Sequence, residues 1–391
     1  MCIVTFGIAR GKPMRMNPSA GSSKKKPKRV DTGVSPSVEG FFRVPPIWVG
    51  EAPPSDAVEA INPSVHHETV SRRAMRCGIS VRIRRDGLFM FDFTDFAPGG
   101  VVEIPRFDSL LGQAFAEVRA AENKAEDIAV FRAQIINAFQ ACLETAGAVH
   151  GSGASIMGEP VNFKETVKTI SIDYDPPYSL DVRYPNRFVH AIANKALGSL
   201  SKAVFPPRRT FNLASVEAAV DLLDNLLSSD PLFAVDIVEA AYIAAIRFSE
   251  KRMGEAVVIG WSVCERLLNA KYEGYLDKST QGRGQRLSRE RRKKLTGRDY
   301  TASVLTEFLE LSGQLDKTLY GRLEEARKAR NAWAHNLDQP RLSQAYDCLR
   351  AGWQLIEEVL GLRVLFQPGP QGGVPQWSLK QLQQVQERQK T

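Results

Sequence analysis

Three side chains able to act on a phosphodiester lie close together in the C-terminal half of the sequence. Arg330, Asn331 and His335 fall within the run E-E-A-R-K-A-R-N-A-W-A-H-N at residues 324–336. A guanidinium binds phosphate oxygens bidentately, an amide donates hydrogen bonds, and an imidazole transfers protons near neutral pH. This combination of residue types is therefore suited to phosphodiester cleavage.

A helix predicted over residues 315–333 has to position these groups. Its expected core face carries apolar residues at helical spacing, Leu319, Leu323, Ala326 and Trp333. Asn331 and His335 are four residues apart, so a continuous helix places them one above the other. The same residues have a structural interpretation, because basic side chains near a helix end satisfy its last carbonyls and its dipole. Residue spacing alone leaves both interpretations open.

The R-N-x-x-x-H pattern at the end of a penultimate helix resembles the R-x(4–6)-H motif of the HEPN superfamily. Upstream, the run W-S-V-C-E-R-L-L at residues 261–268 resembles the family's earlier helix, which carries an acidic residue, here Glu265. The resemblance covers roughly residues 205–365 and is most like the ApeA-like branch. It implies an all-α bundle that forms a homodimer, with two copies of the motif in one composite cleft.

The resemblance also implies a metal-independent endoribonuclease that uses the ribose 2′-hydroxyl as its nucleophile and needs no cofactor. His335 would act as general base or acid, Arg330 would hold the phosphate and Asn331 would hydrogen-bond it. Glu265 would orient Arg330 or His335, although it can equally pair with a surface lysine or arginine. Family members act in defence against phage and as toxins. The alternative is a non-catalytic HEPN-type module for dimerisation or RNA binding.

A strongly basic segment precedes the motif helix. Residues 278–298 contain nine Lys or Arg residues and a single acid, Glu290. The densest part contains the candidate RNA-binding residues Arg289, Arg291, Arg292, Lys293 and Lys294. A flexible cationic loop would attract RNA phosphates through counterion release without reading sequence. An inert solvated loop remains the alternative.

The fold class predicted from the pattern is an α+β N-terminal domain followed by an all-α HEPN-like helical bundle. Four regions are expected: a disordered basic arm (1–40), the α+β domain (41–185), the bundle (186–366), and a linker with a polar tail (367–391). The run K-K-K-P-K-R-V in the arm resembles a nuclear import signal or is an ordinary basic arm. By elimination, the α+β domain is assigned to recognition of a trigger or partner protein.

Alternation and turn residues predict the elements of the α+β domain. Strands are expected at residues 79–84, 88–93, 101–104, 167–174 and 178–184, with Asp86-Gly87 as a hairpin turn and a helix over 123–146. In the bundle, helices are expected at residues 187–203, 213–227, 231–249, 254–276, 304–311, 315–333 and 340–361. The glycine-rich run at 147–158 lacks the ending of a phosphate-binding loop and is expected to be a connector.

Composition sets outer limits on function. The 391 residues include 52 basic and 44 acidic residues, a net charge of +8 that suits a polyanionic partner such as RNA. The five cysteines occur singly, which favours reduced thiols and gives no metal-ligand spacing. No apolar run approaches the roughly 20 residues of a membrane span, so a cytoplasmic protein without membrane contact is expected.

Overall fold

The structure is a computed structural model that describes residues 32–34, 37–43, 47–50, 68–96, 103–105, 114–150, 157–169, 172–173, 209–228, 230–281, 287–297, 300–364 and 366. The described strands are β1 (Thr32–Val34), β2 (Val38–Phe42), β3 (Ile47–Val49), β4 (Thr69–Ala74), β5 (Ser80–Arg84), β6 (Leu88–Asp92), β7 (Glu103–Pro105), β8 (Val167–Thr169) and β9 (Arg209–Phe211). The described helices are α1 (Ala114–Val149), α2 (Leu213–Leu227), α3 (Pro231–Ser249), α4 (Met253–Gln281), α5 (Arg289–Leu295), α6 (Ala302–Leu311), α7 (Lys317–Asn336) and α8 (Leu342–Leu360). This part of the chain is mostly helical, with a small N-terminal sheet.

A five-stranded antiparallel sheet has the strand order β4-β5-β6-β2-β8. The turn between β5 and β6 requires a glycine, because Gly87 has a φ of +81° and a Cβ there would lie 2.6 Å from the Ile47 carbonyl oxygen. The hairpin predicted at Asp86-Gly87 is therefore confirmed. Two smaller pairings accompany the sheet, antiparallel β1 with β7 and parallel β3 with β9.

Several strand predictions need correction. Residues 32–34 and 38–40 form β1 and the start of β2, although their composition predicts a disordered arm. The strand expected at 101–104 is β7, and it pairs with β1 rather than extending the hairpin. Of the strand expected at 167–174, residues 167–169 form β8, which pairs with β2, and the described residues 172–173 lie in a turn. Pairing between strands that are distant in sequence decided these cases, and local composition does not encode it.

Helix α1 packs against the sheet and connects it to the helices that follow. Its Phe139 makes edge contacts with Phe89 and Phe91, at ring-centroid distances of 5.1 and 5.2 Å. On the bundle side, the Asn137 amide donates to a Glu239 carboxylate oxygen of α3 at 2.8 Å. α1 begins nine residues before its predicted start at 123. Buried side chains thus form one connected core from the sheet to the last helix.

The directions of the bundle helices follow from their contacts. The thiol of Cys348 lies 3.7 Å from the Val257 carbonyl oxygen, and Lys271 pairs with Glu358 at 2.8 Å. Residue numbers therefore rise together on α4 and α8, so these helices are parallel. α7 is antiparallel to α8, because Gln354 near the end of α8 donates to the N-cap residue of α7 at 3.0 Å. α7 is consequently antiparallel to α4 as well.

Most bundle helices lie where the sequence predicts them. α2 and α3 have the predicted bounds, and α3 has the expected Asp230 N-cap followed by proline. Leu342 was expected to face inward but is 49 % exposed, since α8 begins only at that residue. The predicted strand at 178–184 and helix at 187–203 lie outside the described residues. So does the predicted domain boundary at 185–186, which stays a prediction.

Candidate functional site

Helix α7 carries the R-N-x-x-x-H motif within its last two turns. It begins at the Asp316 N-cap, whose carboxylate accepts from the Leu319 amide at 2.8 Å, and it ends only at Asn336. His335 therefore lies in the last helical turn, not beyond the helix end as the predicted bound of 333 suggests. Because the helix is continuous, Asn331 and His335 share one face.

The three motif side chains have few protein partners. Arg330 donates from Nη1 to Asn331 Oδ1 at 2.9 Å and is half-buried, whereas the His335 imidazole is exposed. Among the described residues, Arg330 forms no ion pair, and no hydrogen bond involves the His335 ring. Arg330 and His335 are five residues apart, about 140° around the helix axis, and the partial exposure of both side chains leaves them open to a ligand such as a phosphodiester.

The end of α7 is closed by the backbone rather than by the motif. The Leu337 amide donates to the Trp333 carbonyl at 2.9 Å, and the Asp338 amide donates to the Ala332 carbonyl at 3.4 Å. Leu337 adopts the left-handed conformation that this type of helix end requires, with a φ of +60°. The carbonyls of Ala332 and Trp333 are thus satisfied without His335, although its place in the last turn still suits the helix dipole.

Contact between Trp333 and Gly254 fixes where the motif lies in the bundle. A Cβ at Gly254 would overlap the Trp333 indole, so the two residues are in direct contact. The end of α7 therefore rests on the first turn of α4. Arg330 and His335 lie within about one turn of Trp333, and they are found at this same end of the bundle.

Glu265 does not contact the motif. Within the described part of the chain its carboxylate forms no ion pair, so the expected contact with Arg330 or His335 is absent from a single chain. The reason is the antiparallel packing of α4 and α7. Glu265 follows Gly254 by 11 residues, about 16 Å along the helix axis, whereas the motif stays level with Gly254. The neighbouring Arg266 pairs instead with Asp236, at 3.3 Å.

The carboxylates closest in sequence to Gly254 are Glu250, at the end of α3, and Glu255, in the first turn of α4. Glu250 accepts from Arg247 at 2.7 Å, and Glu255 pairs with Arg252 at 2.5 Å. These residues were missed at the sequence level. Their only signal was the proximity of several opposite charges around a helix start, which is common on protein surfaces.

The basic segment contains a short helix instead of an irregular loop. Ser288 caps α5 by accepting from the Arg291 amide, and no residue of the helix is buried. Arg292 lies toward α4, where it pairs with Asp277 and, at 3.7 Å, with Glu273. Arg292 is therefore held against α4, and its assignment to RNA binding stays a prediction.

The other candidate cations of α5 are available. Arg289, Arg291, Lys293 and Lys294 are exposed. None of the four has an ion pair among the described residues. Such a group of cations binds phosphates and acidic surfaces alike.

Two leucines at the motif end of the bundle are exposed. Leu337 has 64 % of its surface accessible and Leu342 has 49 %. They flank the short connection between α7 and α8, directly after His335. Apolar residues of this size at a helix connection are suited to burial in an interface.

Similarity to known proteins assigns no family or function to this chain. No protein-family model, no curated protein and no solved structure matches this chain. The described residues contain no cluster of three or more His, Cys, Asp or Glu side chains that could hold a metal ion. None of the described helices has the length and apolarity needed to cross a membrane.

Proposed function

We propose that this chain is a metal-independent endoribonuclease of the HEPN type. The observation that carries the proposal is the end of α7, where a half-buried Arg330, with no carboxylate partner among the described residues, lies five residues before an exposed His335. The family resemblance of the R-N-x-x-x-H pattern adds the reaction class. Its use in defence against phage or as a toxin, in the cytoplasm, with a trigger recognised by the N-terminal region, belongs to the same proposal.

The proposed reaction needs three functions. A base removes the proton from the ribose 2′-hydroxyl, and the 2′-oxygen attacks the adjacent phosphorus. The bond to the 5′-oxygen breaks, an acid protonates that oxygen, and a 2′,3′-cyclic phosphate remains. His335 serves as base or acid, Arg330 stabilises the charge on the phosphorane, and Asn331 donates to a phosphate oxygen.

A homodimer follows from the need for two proton-transfer groups. One motif supplies one imidazole, and a second chain supplies another. The exposed Leu337 and Leu342 beside His335 favour an interface at this end of the bundle. Glu265 has no role in the monomeric site, and its proposed orienting function depends on contact with the second chain.

The decisive experiment measures cleavage of a fluorescent RNA in EDTA by parental protein and by His335→Ala. Loss of at least about 100-fold is expected, since general acid–base catalysis contributes 10²–10⁴-fold. His150→Ala is the matched control, because His150 is also exposed at a helix end but directly follows α1. A substrate with 2′-deoxyribose at every position should remain uncut. The proposal fails if His335→Ala cleaves at the parental rate.

The composite cleft is tested by mixing chains. Parental protein titrated with excess His335→Ala should lose activity in proportion to heterodimer formation, while excess His150→Ala should not lower it. Unchanged activity at a tenfold excess of His335→Ala, with subunit exchange verified by light scattering of a tagged chain, would mean that one chain suffices.

A non-catalytic HEPN-type module is the second candidate. The exposed cations of α5 favour it, because they support RNA binding without any contribution from His335. A denaturing gel of total RNA incubated in EDTA separates the two candidates. Fragments indicate the nuclease, whereas intact RNA that shifts in a native gel indicates the binding module.

A further inference from the structure

Half-exposed aromatic rings lie beside the cationic helix α5. Tyr300 stacks on Tyr272 with a centroid distance of 5.8 Å and an interplanar angle of 24°. Phe308 meets Tyr272 and Tyr275 edge-on, at 5.4 and 5.3 Å. Tyr272 is buried, but the other three rings retain partial exposure. They form a row along the junction of α4 and α6.

The contacts of α5 place this row next to the cations. Arg292 anchors α5 to Glu273 and Asp277, on the part of α4 that also carries Tyr272, the ring on which Tyr300 stacks. Tyr300 follows the last residue of α5, Leu295, by only five positions. Cations and partly exposed rings together are the composition of surfaces that bind single-stranded nucleic acid, since the cations contact phosphates and the rings stack on bases.

This surface lies at the opposite end of α4 from the R-N-x-x-x-H motif. The Trp333 contact is at Gly254, whereas the α5 anchor is at Asp277, 23 residues further along the same helix. At about 1.5 Å per residue, the two points are roughly 35 Å apart. At the roughly 3.4 Å per nucleotide of a fully stacked helical strand, about ten nucleotides span that distance, and a more extended single strand needs fewer.

We propose that α5 and the half-exposed rings of Tyr275, Tyr300 and Phe308 form a remote binding site for single-stranded RNA. The inference rests on the proposed nuclease function and adds to it a substrate class and a length requirement. RNA long enough to occupy both ends of α4 is captured at α5 and cut at His335. Shorter RNA reaches His335 without this contact. The rings favour RNA over an acidic protein partner, which would need the cations alone.

The binding arm of the test uses His335→Ala protein, so that it does not depend on cleavage. A 20-nucleotide single-stranded RNA is titrated by fluorescence anisotropy at several salt concentrations. Replacing Arg289, Arg291, Lys293 and Lys294 by glutamine should weaken binding at least about tenfold and reduce the salt slope by roughly 3, the value for four phosphate contacts. An abasic strand and a duplex of equal length should bind more weakly than the single strand.

A matched control removes the same charge elsewhere. Lys124, Lys164, Lys168 and Lys317 are also exposed and lie on other parts of the fold. Their fourfold glutamine variant should retain most of the affinity. Equal losses in the two variants would overturn the proposal, because net charge rather than α5 would then determine binding. Equal affinity for the abasic strand would overturn the role of the rings.

The cleavage arm compares RNAs of 6 and 20 nucleotides. The parental enzyme should have a kcat/KM at least about tenfold higher on the longer RNA. In the fourfold α5 variant, the ratio of the two kcat/KM values should fall toward one. A parental enzyme without length preference would overturn the remote site. If the parental protein cuts neither RNA but the binding arm gives the expected result, the nuclease function fails and the RNA site stands.

Discussion

Two ion pairs in different regions of the molecule have pKa shifts of opposite sign. Beneath the sheet, burial raises the pKa of Glu39 and lowers that of its partner Arg132, because the loss of water penalises both charges. On α7, the hydrogen bond from Arg327 lowers the pKa of Glu324, and the same bond raises the pKa of Arg327. Burial therefore destabilises the charged forms of the first pair, whereas the hydrogen bond stabilises the charged forms of the second.

This difference extends to the regions as a whole. Buried ion pairs of the sheet region include Arg43 with Glu144, Arg132 with Glu39, and Arg84 with Asp86. Ion pairs of the bundle lie at the surface, and its described interior is apolar apart from Ser215 and Thr306. Cations of the bundle can therefore stand unpaired without a large penalty. Both candidate phosphate-binding groups, at Arg330 and on α5, are found there.

The largest expected effect is on the buried pair. Glu39→Gln leaves the Arg132 charge buried without its carboxylate and should lower the free energy of unfolding by about 3–5 kcal/mol at neutral pH. Glu324→Gln, in a half-buried pair three residues apart on a helix, should cost only about 0.5 kcal/mol. Urea denaturation of both variants measures the contrast. Equal costs would show that burial does not distinguish the two regions.

A second prediction concerns shape rather than charge in the bundle. Gly254→Ala forces a methyl group against the Trp333 indole and should destabilise the protein by about 1–3 kcal/mol. Gly274→Ala is the control, because it lies on the same helix with no atom within 4 Å of the added Cβ. Alanine there should stabilise by up to about 1 kcal/mol.

A double variant tests whether the cause is the indole itself. In a Trp333→Leu background, Gly254→Ala should lower the free energy of unfolding by less than it does in the parental protein. Thermal denaturation of the two single variants and the double variant measures this difference as a coupling energy. If the free-energy changes of the two substitutions simply add, the strain at Gly254→Ala does not come from the indole.

The smallest effect is expected at the start of α7. Asp316→Ala should cost about 1 kcal/mol through loss of the N-cap, whereas Asp316→Asn keeps an acceptor and should be nearly neutral at pH 7. The Leu319 amide lowers the pKa of Asp316 from its ordinary value of 3.8. A lowered carboxyl pKa stabilises the folded state above the ordinary value, and this contribution is lost as pH falls through the lower, folded value.

Acid titration of the unfolding free energy therefore separates the two Asp316 variants. Parental protein should lose its small advantage over Asp316→Asn below about pH 3.8. Persistence of the full advantage at lower pH would mean that hydrogen bonding, not charge, accounts for the difference.

Local signals were sufficient for most of the described bundle helices and for the motif's position on one of them, but not for the short helix α5. Asp230-Pro231 marks the start of α3, and the spacing of Leu319, Leu323 and Ala326 gives the buried face of α7. These features depend on residues within a few turns of each other. The continuation of α7 to Asn336 was not predicted, because Asn331, Trp333 and His335 are weaker helix formers than the residues before them.

Interhelical register was not predictable from the same signals. The separation of Glu265 from Arg330 depends on the antiparallel direction of α7 and on the contact of Trp333 with one glycine of α4. Likewise, the anchoring of Arg292 by Asp277 distinguishes it from four neighbouring cations that look equivalent in sequence. Packing between segments that are distant along the chain determines both the helix register and the ion pair of Arg292.

Contact between Gly254 and Trp333 has a consequence for evolution. A larger side chain fits at position 254 only if the side chain at position 333 is smaller. The two positions should therefore covary in chains that keep this bundle. A larger residue at 254 should appear together with a small one at 333. Because Trp333 lies between Asn331 and His335, such a paired exchange would also mark lineages in which the geometry of the motif has drifted.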